Sequence, residues 1–119
     1  MKGHEFGATV RSLRERRLKT DRRFSLRQFA AMVGVSPTYL CKVERGDFPP
    51  PSEERIVAIA NALGERPDRL LALAGKVPSD LYRIILRRPE LMSNFLRKAD
   101  KIGEKGLKNI IRKIEDGEW

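Results

Sequence analysis

The chain of 119 residues carries 25 Lys/Arg against 16 Asp/Glu, a formal net charge of +9, and 40% of its residues are hydrophobic. That share supports a compact core and argues against a disordered tail, and the length allows one domain or one small domain with an extension. No stretch approaches the ~18 apolar residues of a membrane span, Met1-Lys2-Gly3-His4 does not open like a secretory signal, and the single Cys41 excludes an internal disulfide framework, so a cytoplasmic protein is expected.

The charge excess implies a polyanionic partner, nucleic acid or an anionic membrane surface, ahead of a merely solvated surface. It is uneven, because residues 1–50 hold 11 Lys/Arg against 5 Asp/Glu while 51–119 hold 14 against 11.

The apolar spacing is helical throughout, and no segment alternates with period two. Val10, Leu13, Arg17 and Leu18 predict a first helix over 7–19, with His4 near a frayed terminus before it. Lys19-Thr20-Asp21-Arg22-Arg23 reads as a polar link. Ser25 is a good N-cap for a second helix running to Val33, with Leu26, Phe29, Ala30 and Val33 inward. Gly34 then stands where a helix ends in a left-handed residue, Ser36 caps anew, and Pro37 takes the first position of a third helix, where its missing N–H costs nothing. Leu40 and Val43 face inward there and Gly46 ends it.

Three prolines, Pro49 to Pro51, make a stiff loop, and Ser52 caps a fourth helix with Ile56, Val57, Ile59, Ala60 and Leu63 as its core stripe, closed by Gly64. A fifth starts at Pro67, carries Leu70, Leu71 and Leu73, and stops before Gly75. Further helices open at Pro78-Ser79-Asp80 and Pro89-Glu90, Gly103 and Gly106 interrupt, and Leu107, Ile110, Ile111 and Ile114 form a last apolar stripe. That stripe covers either the five-helix unit or a second copy of the chain. Its polar face is too mixed in sign for a membrane-surface helix.

The expected architecture is therefore all-α, with a five-helix unit over 1–75 and a helical extension over 76–119. Two short helices crossing at a tight, glycine-bearing turn can project the second outward, here with Pro37, Thr38, Tyr39 and Lys42 on its outer N-terminal face.

The run SLRQFAAMVGVSPTYLCKVERGDFPPPSEERIVAIANALG resembles the Cro/C1-type (Xre) helix-turn-helix family of bacterial and phage transcriptional regulators. The phrases that carry the resemblance are Ala30-Ala31, Gly34-Val35-Ser36, Tyr39-Leu40-Cys41 and Glu44-Arg45-Gly46, and the likeness spans roughly residues 7–75. It implies a lambda-repressor-like fold, binding of double-stranded DNA as a homodimer, and regulation of transcription as a repressor. Base reading is implied for Pro37, Thr38 and Lys42, with Tyr39 on phosphate or base edge; Lys42 matches the guanine acceptors and Thr38 the thymine methyl. Proline at 37 departs from the family in having no side-chain donor. Phosphate contact is implied for Arg27, Ser36 and Arg45, while Gln28 either grips phosphate or braces the third helix. Glu44 is implied as an internal salt-bridge partner of Arg14 or Arg17.

The link KTDRRF is longer than the family's usual one, so Arg22 and Arg23 either reach the neighbouring backbone or stay solvated. Cys41 reads as a packed small side chain rather than a reactive thiol, and Trp119 as a dimer-packing aromatic or a loose end. Paired carboxylates, phosphate loops and metal-ligand clusters are missing from the pattern, so neither an enzyme nor a cofactor is expected. A different class remains open, an antitoxin-like module whose segment 76–119 binds a protein partner. So does a binder of low specificity, or one preferring RNA.

Overall fold

The computed structural model describes residues 2–119, with side chains from His4 onward. Residue 1, the start of the expected first domain, lies outside the described residues. Among them are eight α-helices and one 3-10 turn, with no strand. The helices are α1 (Lys2–Leu18), α2 (Leu26–Val33), α3 (Pro37–Glu44), α4 (Glu53–Leu63), α5 (Pro67–Leu73), α6 (Ser79–Arg87), α7 (Pro89–Ala99) and α8 (Glu104–Glu115), and the turn spans Arg22–Phe24 between α1 and α2. The chain divides into two compact units between Pro78 and Ser79.

Serine side chains start three of the helices of the first unit. Ser25, Ser36 and Ser52 accept hydrogen bonds from the backbone N–H of Gln28, Tyr39 and Arg55, satisfying a donor that the first turn leaves unpaired. At the far end of α2, Gly34 turns left-handed (φ 79°) and the Val35 N–H bonds back to the Ala30 carbonyl at 2.9 Å. Arg55 adds to this closure by donating from Nη1 to the Val33 carbonyl at 3.0 Å. A side chain at 34 would meet both the strained φ and the Arg55 guanidinium.

The core is apolar and lies wholly in the first unit. Phe6 and Val10 of α1, Phe29 and Ala30 of α2, Leu40 and Val43 of α3, Ile56 and Ile59 of α4, and Leu70 and Leu71 of α5 are all buried. Each large side chain removed from water in this way contributes about 1.5–3 kcal/mol.

Four features differ from the sequence pattern. Helix α1 begins at Lys2 rather than at residue 7, which puts His4 on a helix and the buried Phe6 at the centre of the core. Its inward face is Phe6, Gly7, Val10 and Arg14, so Leu18 faces outward, 37% exposed, and Arg17 lies over the Phe24 ring at 5.3 Å. The supposed polar link holds the 3-10 turn, whose last residue, Phe24, is buried and packs against Phe29 with ring centroids 5.7 Å apart. Gly106 lies inside α8 rather than interrupting it, where a neighbouring Ile102 side chain covers it. A single glycine costs a helix interior only about 1 kcal/mol relative to alanine, too little to break it alone.

The second unit, α6 to α8, is amphipathic in each helix, yet none of its side chains is buried. Leu86, Leu91, Phe95, Leu96, Ile111 and Ile114 are all exposed.

Candidate nucleic-acid interface

Helix α3 is held from below by apolar and ionic contacts together. Leu40 and Val43 are each 1% exposed, and between them and the solvent Glu44 turns inward onto Arg14 of α1. The two side chains meet as a fork, Arg14 Nε donating to Glu44 Oε2 at 2.7 Å and Nη2 to Oε1 at 2.9 Å, while Nη1 donates to the Phe24 carbonyl at 3.0 Å. One guanidinium thus ties α1, α3 and the 3-10 turn. The hydrogen bond to Glu44 pushes the Arg14 pKa above its ordinary value against the opposing effect of burial, so the guanidinium keeps its charge. Of the two partners implied for Glu44, the structure selects Arg14. Gly7 lets α1 approach this closely, since a Cβ there would strike the Val43 carbonyl and sit 2.8 Å from that of Glu44.

With its inner face fixed, α3 presents Pro37, Thr38 and Lys42 to solvent. Together with Leu26, Cys41 and Arg45 they line an open hollow of about 310 Å³. Cys41 is half-buried there. Tyr39 is half-buried too, turned aside onto the Phe48 ring at 5.8 Å. A wider open groove of about 600 Å³ runs along the outer face of α1, past Arg11, Arg16 and Lys19, and shares Arg45 with the α3 face.

The other residues singled out from the sequence surround this face unevenly. Arg22 and Arg27 are exposed and carry no ion pair among the described residues. Arg23 is exposed but doubly bonded to Asp21, with Nη2 to Oδ2 at 2.7 Å, and this contact holds the Asp21 carboxyl below the usual carboxylate range. Arg45 faces Asp47 at 3.0 Å. Ser36 uses its oxygen as the helix cap but keeps its O–H to donate, and Gln28 is exposed beside the Ser25 cap. Phe48 and Asp47 were absent from the sequence-based set. A lone phenylalanine among prolines gives no periodic signal, and its closeness to Lys42 arises from the fold of the loop.

No three His, Cys, Asp or Glu side chains among the described residues are arranged to hold a metal ion, and no described helix is long and apolar enough to cross a membrane.

A capped helix exposed along its N-terminal half, after a glycine turn, is the arrangement that enters a DNA major groove. A family model described as "Helix-turn-helix domain" matches residues 5–74. The chain belongs to this helix-turn-helix family. The matched span takes in α1 to α5 and ends before the second unit. Within the helix-turn-helix, α2 is the positioning helix and α3 the exposed one, the arrangement of a DNA-binding regulator. No curated protein and no solved structure matches the chain.

Proposed function

We propose that this chain is a sequence-specific double-stranded-DNA-binding transcriptional regulator of the Cro/C1 (Xre) type, a cytoplasmic repressor acting as a homodimer. The reading rests above all on the seat of α3: the Arg14–Glu44 fork and buried Leu40 and Val43 fix its inner side, leaving Thr38 and Lys42 outward in a chain of charge +9. Lys42 reads guanine O6 and N7, Thr38 meets a base edge or thymine methyl, and Pro37 adds apolar contact only. Tyr39, turned toward Phe48, is better placed for backbone than for a base edge. Arg22, Arg27, Gln28, Ser36 and Arg45 contact phosphates, and Arg23 joins them once it leaves Asp21. The chain acts by binding rather than by catalysis.

The second unit, residues 79–119 with the preceding 76–78, is assigned as the dimerisation element. Three amphipathic helices with no buried side chain fall at the size, roughly 40 residues, below which a chain seldom supplies its own core. The same exposed apolar faces support a second reading, an antitoxin-like element that docks a different protein.

The test is selection of bound duplexes from a random DNA library, followed by titration of the selected duplex at two salt concentrations against random competitor. Retention against competitor at two chains per duplex is the expected result. Binding that competitor abolishes, with a steep salt dependence alone, would reduce the protein to a basic surface, and equal competition by duplex RNA would overturn major-groove reading, because the A-form groove excludes a helix.

A further inference from the structure

The loop after α3 folds back on the very residue assigned to base reading. The backbone N–H groups of Asp47 and Phe48 both donate to the Lys42 carbonyl, at 2.9 and 3.3 Å. The Phe48 ring then stands beneath the Lys42 ammonium, 5.3 Å from its centroid, and also meets the Tyr39 ring, 5.8 Å away at 47°. Pro49, Pro50 and the buried Pro51 follow directly and stiffen the loop that carries it. Phe48 remains 38% exposed, so its ring stands beside the outer face of α3 instead of joining the buried core.

We infer that Phe48 is a positioning residue for base recognition: its ring face holds the Lys42 ammonium in a restricted set of rotamers on the outer side of α3, so that less side-chain freedom is lost when Lys42 docks on a base. A lysine side chain is long and flexible, and ordering it in advance converts directly into affinity for the site it reads. The aromatic quadrupole supplies the attraction, which an aliphatic side chain of similar bulk does not. The Tyr39 ring, tilted at 47° to it, adds a second contact to the Phe48 ring. This rests on the assignment of Lys42 to base reading, and the experiment separates the two.

Wild type, Phe48→Leu, Phe48→Tyr, Lys42→Ala and the double variant Phe48→Leu/Lys42→Ala are titrated with the library-selected duplex and with random-sequence duplex, and each is melted thermally. Phe48→Leu is expected to lose about two- to fivefold in preference for the selected duplex while its binding to random duplex is unchanged. Phe48→Tyr, which keeps the ring face, retains the preference, and Phe48→Leu has no further effect once Lys42 is gone. An undiminished preference in Phe48→Leu, or an equal loss on both duplexes with a lowered melting temperature, would overturn the positioning role while leaving Lys42 as a reader. A Lys42→Ala variant that keeps its full preference overturns both.

Discussion

Lys42 and Arg45 lie one turn apart on the same exposed edge, and their surroundings give them different consequences. Among the described residues Lys42 makes no ion pair, and a ring lies beneath it, so its donors are available to a base edge. Lys42→Ala is expected to cost about 1–3 kcal/mol on the selected duplex and to relax preference at one position, read by repeating the selection with the variant. Arg45 is occupied by Asp47 in a pair whose members are 60% and 48% exposed, worth at most about 1 kcal/mol. Arg45→Ala therefore weakens every sequence alike and lowers the salt slope by about one. Asp47→Asn does the reverse: it frees Arg45 and removes a repelling charge, so affinity for any duplex rises, by about 0.2–1 kcal/mol in filter-binding titrations at fixed salt. Unchanged affinity in Asp47→Asn together with full activity in Arg45→Ala would place this end of α3 away from the phosphates.

At the scale of elements, one ion pair decides whether α3 keeps its orientation. Glu44 and Arg14 are each 5% exposed, and removing either strands the other's charge in the core. Glu44→Ala is expected to destabilise by about 3–5 kcal/mol in urea unfolding, with a shallower loss for Glu44→Gln, which keeps one acceptor for the guanidinium. A loss below about 1 kcal/mol for Glu44→Ala would show that apolar packing alone seats the helix. Much of this level is legible in the sequence because it is local chemistry. The serine caps, Pro37 at a first helical position and the left-handed glycines 34 and 64 each announce their place within three or four residues. What is not legible depends on tertiary contact. Phe6 precedes any capping signal and Phe24 sits in the charged string DRRF, so both read as surface until α1 and α2 close over them. Gly7 is a similar case, an ordinary helical glycine in sequence and a contact point between α1 and α3 in the fold. Gly106 errs the other way, a breaker in isolation and a helix interior in fact.

For the whole molecule the decisive imbalance lies between the units. Among the described residues the first buries fourteen apolar side chains and the second none, although its helices are as strongly amphipathic. Isolated helices of 9, 11 and 12 residues are marginal in water, so the second unit needs tertiary burial to persist. A single eight-residue recognition helix also reads few bases. The proposed two-fold pairing would answer both needs: it would bury the apolar faces of α6 to α8 and place two copies of α3 on half-sites about 34 Å apart. Charges placed on that face separate this account from its rivals. Ile111→Lys with Ile114→Lys changes two residues already more than half exposed, so the first unit should melt unaltered. Sedimentation should then show the dimer giving way to monomer, and affinity for a two-half-site duplex should fall toward that for a single half-site. A wild-type chain that sediments as a monomer at micromolar concentration and binds one chain per duplex would instead assign these faces to a different protein.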